Sequence, residues 1–345
     1  MMILGIDTSC DDTSAAVVRN GREIVSNIVS SQTEIHQKYG GIVPELASRR
    51  HSEMIWPVVQ EALSVAGIAL EGLTAIAVCY GPGLVGSLLI GCGFAKAVSF
   101  ARSIPLVAVN HLEGHIFAAF LEDRAPDFPF LALIVSGGHT SLYMVKSFGT
   151  YLELGRTRDD AAGEAYDKVS KLLGMNYPGG PIIDRLAREG NPTAFVFPRA
   201  YLPESMDFSF SGVKTAVRNQ IQKTVNKGKE PLSEEFRRDI AASFQAAVVD
   251  VLVRKVQRAI QQIGIRRIVL SGGVAANSAL RVRMQQMASE HDAELYMPSI
   301  RLCADNAAMI AAAGYHHFLA GERAHISLNA KAYLPLGTAV VNSEK

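Results

Sequence analysis

Two stretches of this chain are built to the same plan. Residues 3–18 (ILGIDTSCDDTSAAVV) and 131–145 (LALIVSGGHTSLYMV) each read as an apolar strand, a short turn of Ser, Thr, Asp or Gly, and a second β-rich strand. That pattern predicts a β-hairpin whose tip exposes small polar groups and backbone N–H donors. One hairpin near the N-terminus and another near mid-chain predict a duplicated, two-lobe protein, each lobe opening with a hairpin. At 345 residues the chain has room for two lobes of roughly 100–200 residues each.

The remaining segments alternate strands and helices. Residues 73–79 read as a strand, Gly81-Pro82-Gly83 as a turn and 84–102 as a helix. Ser233 is a good N-cap for a long helix carrying the stripe Ile240, Phe244, Val248, Val251, Leu252, Val256 and Ile260, which Gly264 ends. Residues 267–270 read as a strand, with a Gly turn after it and a helix near Asn277. Asp305 is placed to start an alanine-rich helix, and 221–232 is expected to be an exposed loop. Strands with Gly-rich ends alternating with helices indicate an α/β fold.

Hydrophobic residues make up 48% and charged residues 19%, which describes a globular protein with a large core. Lys and Arg total 34 against 33 Asp and Glu, a net charge of +1. Such a balance gives no global pull on nucleic acid, so any contact with one must be a local basic patch or be shared with another subunit. Cys10, Cys79, Cys92 and Cys303 form no C-x-x-C pair, which speaks against a disulfide framework or thiolate zinc site and suits a reducing cytosol. A strand begins almost at once, at Ile3, leaving no room for a signal peptide before it. The most apolar stretch, 83–101, carries Lys96 and is expected to be a buried core helix rather than a membrane span.

His111-Leu-Glu-Gly-His115 places two histidines on one face of a helical turn, a spacing that aims two imidazoles at one metal ion. A zinc protease needs Glu beside one of the two histidines. Glu113 is in the middle and points away from their shared face, so the metal reading survives and the protease reading weakens. Nitrogen and oxygen donors suit zinc or Fe(II), and two histidines with one carboxylate is the non-haem Fe(II) pattern. Asp11, Asp12 and Asp305 are candidate carboxylates; an N-cap role is the alternative for Asp305. His316 and His317, late in a helix, are expected to be dipole partners rather than ligands.

Ser136-Gly137-Gly138-His139-Thr140 and Ser271-Gly272-Gly273-Val274-Ala275-Ala276-Asn277 are glycine turns whose N–H groups can approach a phosphate, the second at a helix N-terminus. An ordinary hairpin turn, and for Asn277 a simple N-cap, are the structural alternatives. Two such loops point to nucleotide binding, and with no P-loop or G-x-G-x-x-G motif neither a P-loop NTPase nor a dinucleotide fold is supported. In 159–168, Glu164 with Asp167, or Asp167 with Lys171, can share a helix face, the alternative being a solvated helix start. Residues 177–181 (YPGGP) are expected to shape a loop over a ribose or base, with Asp184 placed to accept a ribose hydroxyl.

These segments together resemble the universal tRNA adenosine threonylcarbamoyltransferase family, once labelled O-sialoglycoprotein endopeptidase. The matching motifs are GIDTSCDDT (5–13), HQKYGGIVPELASRRH (36–51), GPGLVGSLLIG (81–91), HLEGH (111–115), LIVSGGHTSL (133–142), DDAAGEAYDKVSKLLGMNYPGGP (159–181), FSFSGVKTA (208–216), LSGGVAANSALR (270–281) and LCADNAAMIA (302–311). The opening and length look like the bacterial branch, with Asp7 and Asp12 where bacterial members usually have Glu. The resemblance implies the actin/Hsp70/sugar-kinase fold, two lobes around a nucleotide cleft: 1–125, completed by 300–345, and 126–299. It implies His111, His115 and Asp305 as metal ligands, with Fe(II) favoured and zinc the alternative. Val135, Ser136, Gly137, Gly138, His139, Asp167, Gly180, Asp184 and Asn277 match its nucleotide-substrate contacts. The implied reaction moves a threonylcarbamoyl group from threonylcarbamoyl-AMP to the N6 amine of the adenosine 3′ of the anticodon, in tRNAs reading codons that begin with A. His139 or Asp11 is the expected proton acceptor. Implied partners are tRNA, a degenerate paralogous subunit lacking the histidine pair and a small ATPase, in the cytoplasm and without a membrane. The competing readings are a metallopeptidase, an ATP phosphotransferase or ATPase of the same fold, and a non-catalytic scaffold. Shared RNA binding agrees with the near-zero charge, and the isolated chain is expected to bind tRNA weakly and salt-sensitively.

Overall fold

The computed structural model describes residues 1–226 and 232–337. The chain divides into two units, Met1–Pro126 with Pro298–Lys345, and Asp127–Met297. In the first unit, β1 (Met2–Asp7), β2 (Asp12–Arg19) and β3 (Glu23–Ser31) form a meander, followed by α1 (Thr33–Gln37) and α2 (Pro44–Ala66). Then come β4 (Ala75–Gly81), α3 (Val85–Arg102), β5 (Leu106–Asn110) and α4 (His111–Phe117). The second unit holds β6 (Phe130–Val135), β7 (Thr140–Ser147), β8 (Thr150–Arg156), α5 (Ala162–Leu172), α6 (Gly179–Ala187), α7 (Ser211–Val225), α8 (Glu234–Ile263), β9 (Arg267–Ser271), α9 (Ser278–Glu290) and β10 (Glu294–Tyr296). The chain returns to the first unit with α10 (Ile300–Cys303) and α11 (Ala307–Leu319).

The duplication expected from the two hairpins is present in the sheets. The first is ordered β3-β2-β1-β4-β5 and the second β8-β7-β6-β9-β10. In each, the three meander strands pair antiparallel and the next two join parallel. Both hairpins therefore put their turns at the same end of equivalent sheets, at Thr8–Asp11 and Ser136–His139. The central strands read as unbroken apolar runs because they are covered on both faces. In the first unit, Leu4, Ile6, Val17, Ile76 and Val78 meet Ile55, Val59 and Ala62 of α2 and Cys92 and Ala95 of α3.

Three sequence expectations change here. Helix α3 is long and apolar enough to cross a membrane, yet only one face is buried, at Ser87, Leu88, Gly91, Cys92 and Ala95. Val85, Leu89 and Phe100 are exposed, so it is a helix packed on one side, not one enclosed all round. Residues 221–225, expected in a loop, continue α7, because Val213, Val217 and Ile221 keep a buried stripe; 227–231 lie outside the described residues. Helix α11 starts one residue later than expected: Asn306, not Asp305, is its cap, accepting from the Met309 N–H at 3.2 Å.

Candidate active site

The histidine helix α4 grows directly from the end of β5. Asn110 ends the strand and caps the helix, accepting the Leu112 N–H at 2.9 Å. Gly114 faces α11: a Cβ there would lie 2.8 Å from Ile310 Cδ1 and 3.2 Å from Met309 Cγ. Gly5 does the same for β1, where a Cβ would meet the Ala311 nitrogen at 2.8 Å. These two glycines let the N-terminal turn of α11, and Asp305 just before it, approach the histidines.

His115 Nε2 lies 3.3 Å and His111 Nε2 3.6 Å from Asp305 Oδ1. The imidazole centroids are 4.7 Å apart at 76°. An ion about 2.1 Å from each donor separates neighbouring donors by roughly 3.0–3.4 Å, close to this spacing. Both nitrogens of His115, whose side chain is fully buried, lack a hydrogen-bond partner. Buried polar atoms without partners are costly unless something binds them, so the donor set fits a metal. Of the three candidate carboxylates, Asp305 is the one grouped with the pair.

The contacts that back this centre were not legible in the sequence. Asp7 Oδ2 lies 3.2 Å from His111 Nδ1, the nitrogen opposite the one facing Asp305, while Asp7 Oδ1 accepts the Ser9 N–H at 2.9 Å. A carboxylate behind a ligating histidine fixes its tautomer and ring. Cys79 also falls within reach of Asp7 and His111, but burial holds its thiol well above its ordinary pKa, so it stays a neutral thiol. Glu113, pointing away from the pair as expected, accepts from His317 Nε2 at 2.7 Å, and His317 Nδ1 reaches Glu322 at 2.9 Å. His317 lies in the last turn of α11, but its partners are carboxylates rather than the helix dipole alone.

At the tip of the first hairpin, burial and the Asp305 charge raise the Asp11 carboxyl above its ordinary range. Burial, Asp11 and Asp305 push Asp12 up to about 7. Fully buried His51 supports this tip: its Nε2 donates to the Cys10 carbonyl at 3.0 Å, and its Nδ1 accepts from the Thr13 hydroxyl at 2.8 Å. Burial keeps this imidazole neutral, as that bonding requires.

The second unit gathers the other candidates around its strand ends. The Ser136 hydroxyl accepts the His139 N–H at 3.1 Å, closing the turn. A Cβ on Gly163, in the first turn of α5, would lie 2.6 Å from the Ser136 oxygen and 2.7 Å from Gly137 Cα. Gly272 adopts φ +92, and a Cβ on it would run into the Val135 carbonyl. The two glycine loops therefore abut, with open space over Gly137, Gly138, Gly180 and Gly273. Asp167 accepts the Gly179 N–H at 2.7 Å at the start of α6. The YPGGP stretch is accordingly a helix start, with Pro178 at the cap position. Along α5, Glu164 pairs with Lys168 at 2.7 Å.

Asp184 is bound by the Ser278 hydroxyl at 2.8 Å, Gln245 Nε2 at 3.2 Å and Arg188 at 2.9 Å. Asn277 caps α9 and also donates to Gln245 Oε1 at 2.7 Å. Gln245 is the missed residue here; its one signal is an amide on the apolar side of α8. Asp159 and Asp160 are not a solvated helix start. Asp159 accepts from Ser209, Ser211 and the N–H groups of Phe210 and Ser211, and Asp160 pairs with Lys168 and Lys214.

The sequence profile of the tRNA N6-adenosine threonylcarbamoyltransferase family matches residues 23–312. The chain belongs to this family. A relative of that name from Thermodesulfovibrio yellowstonii is 60% identical over 336 residues, covering 97% of this chain and 100% of the relative. One from Symbiobacterium thermophilum is 52% identical, covering 97% of each. Among solved structures, component A of the Acidaminococcus fermentans (R)-2-hydroxyglutaryl-CoA dehydratase gives a TM-score of 0.53 at 15% identity, covering 92% of this chain and 98% of that one. Full-length HypF, phosphate- and nucleotide-bound, gives 0.58 at 14%, covering 92% and 46%. At such identities the likeness shows the fold alone: a duplicated α/β fold of the actin/Hsp70/sugar-kinase class.

Proposed function

We propose that this chain transfers a threonylcarbamoyl group from threonylcarbamoyl-AMP to the N6 amine of the adenosine 3′ of the anticodon, in tRNAs reading codons that begin with A. The observation that carries this reading is the His111–His115–Asp305 donor set in a chain that matches the family over 23–312. A C–N bond forms from N6 to the carbamoyl carbon, the bond from that carbon to the phosphate oxygen breaks, and AMP leaves with the electron pair. The N6 proton passes to a base.

His111, His115 and Asp305 would hold one divalent ion, Fe(II) in preference to zinc because two histidines and a carboxylate form the non-haem iron pattern. Such an ion supplies Lewis-acid charge for a leaving phosphate. In the second unit, N–H groups of 135–139 are suited to the adenylate's oxyanions as charge develops. Asp167, Gly180, Asp184 and Asn277 are suited to its nucleoside. His139 and Asp11 occupy equivalent hairpin turns, and either can take the N6 proton. A degenerate paralogous subunit and a small ATPase are the proposed partners, in the cytoplasm, where four free cysteines persist.

The test is incorporation of labelled threonine into tRNA with ATP, the adenylate-forming enzyme and the two partner proteins. Threonylcarbamoylated adenosine that depends on this chain supports the reading. Metal-dependent cleavage of a glycoprotein without tRNA labelling would favour the peptidase instead, against which stands the engagement of Glu113 by His317.

A further inference from the structure

A cavity of about 720 Å³ opens on the second unit, lined by Tyr201, Pro203, Arg254, Lys255, Arg258 and Gln261 among others. None of the motifs or candidate site residues falls in it. Its lining carries three cations and no carboxylate. Among the described residues neither Arg254 nor Arg258 has an ion-pair partner, whereas other arginines of the unit do: Arg158 pairs with Asp207, Arg188 with Asp184, Arg199 with Asp250 and Arg266 with Asp292. Asp250, one helical turn before Arg254, is taken by Arg199, and Asp207 by Arg158. Arg254 and Arg258 are like charges with no ion-pair partner of their own, and Asp207, the carboxylate that acts on Lys255, is already paired with Arg158, so the arrangement gains when an anion joins it.

The wall of the cavity is fixed in advance. Lys255 is 2% exposed, and its ammonium donates to the carbonyls of Leu202 and Ser205, while Arg258 donates to Ser205 at 3.3 Å. Leu202 has a φ of 44, a left-handed backbone that a leucine seldom adopts, and these bonds hold it there. Burial, and after it the Arg258 charge, pull the Lys255 ammonium down to about 8 against the opposing Asp207 carboxylate. Arg254 lies over the Tyr201 ring at 5.1 Å from its centroid, leaving Tyr201 37% exposed. Cations for phosphate, an aromatic face for a base or ribose, and glutamine amides form the set that single-stranded or looped RNA uses.

We propose that this cavity docks the sugar–phosphate backbone of the tRNA substrate. The proposal rests on the tRNA-modifying activity above and deepens it by placing an RNA contact where a chain of net charge +1 has a local basic surface.

The test is tRNA binding by the full-length chain, measured by fluorescence anisotropy across a salt series starting at about 50 mM, for wild type and for Arg254→Gln with Arg258→Gln. The double variant is expected to bind about tenfold more weakly and to lower the slope of log affinity against log salt by about two, one for each lost phosphate contact. Its thermal transition and divalent-metal affinity should match wild type. Tyr201→Ala is expected to weaken binding while leaving the salt slope unchanged. Equal tRNA affinity and slope in wild type and double variant overturn the proposal. So does binding of inorganic phosphate that the double variant loses while tRNA binding stays, since the cavity is then a free-anion site. A wild-type chain that binds no tRNA even at low salt overturns it too. Transfer activity in the labelled-threonine assay then tells whether the function reading falls with it.

Discussion

Replacing Asp7 by Asn tests whether the carboxylate behind His111 sets the strength of the metal centre. The substitution keeps the size of the side chain, and its amide oxygen can still accept the Ser9 N–H now bound at 2.9 Å. What is lost is the charge 3.2 Å from His111 Nδ1. Carboxylates behind ligating histidines typically contribute 10–100-fold in metal affinity, about 1.4–2.7 kcal/mol. Full burial of Asp7 favours the upper part of that range, because little water is present to take over its role. At neutral pH an opposing effect intervenes: without Asp7, His111 gives up its proton more readily to an incoming metal. The full loss is therefore expected near pH 9, by competition of Co²⁺ or Zn²⁺ against a chromophoric chelator. Unchanged affinity at that pH, with His111 still required for binding, would refute the reasoning.

Three further outcomes follow from the same contacts. Burial works downward on His111, but the Asp305 and Asp7 carboxylates outweigh it and hold it up at about 9. Metal binding should then release a proton, and affinity should rise about tenfold per pH unit below that value; calorimetry in two buffers of different ionisation heat reads the proton, and its absence counts against the assignment. His317 is lowered by burial yet raised overall by Glu113 and Glu322. A raised histidine stabilises fully below its unfolded pKa of about 6.5 and loses that contribution as pH climbs through the folded value. The stability gap between wild type and His317→Gln in urea should therefore shrink toward alkaline pH, and a gap constant with pH would contradict it. Gly5→Ala drives a methyl group into the Ala307 carbonyl and the Ala311 backbone nitrogen of α11, which cannot turn aside as a side chain can, and is expected to cost about 1–3 kcal/mol and to weaken metal binding, since Asp305 lies just before α11. Wild-type metal affinity in that variant would show that the β1–α11 approach is not what sets the donor spacing.

Local signals carried much of the fold. The two hairpins, the Ser233 cap and the Gly264 stop of α8 all appear where short-range chemistry put them. The hairpins pointed to the duplication, but the third meander strand and the order of the two parallel strands in each sheet depend on long-range pairing that no local signal carries. The His111–His115–Asp305 cluster was partly legible, because two of its members lie one helical turn apart; Asp305 was one of three candidate carboxylates, favoured for its expected helix start, and the family resemblance singled it out. The groups behind them were not. Glu113 and His317 are separated by 204 positions, and Asp7 reads in sequence as the polar end of a strand. Gln245 sits inside an apolar stripe, where an amide looks like a tolerated exception until Asp184 and Asn277 close on it. Asp159 looked like a helix start because sequence spacing cannot show that its acceptors serve the N-terminus of α7, 50 positions away.

The proposed metal-dependent transfer is tested most directly by His111→Ala combined with His115→Ala. The double variant is to be assayed beside wild type for threonylcarbamoylated adenosine by mass spectrometry of digested tRNA, with bound metal counted in the same preparations. Wild type is expected to carry one divalent ion and modify tRNA, and the variant to fold normally, carry none and modify none. A folded, metal-free variant that still modifies tRNA at the wild-type rate would contradict the metal centre as the seat of the reaction.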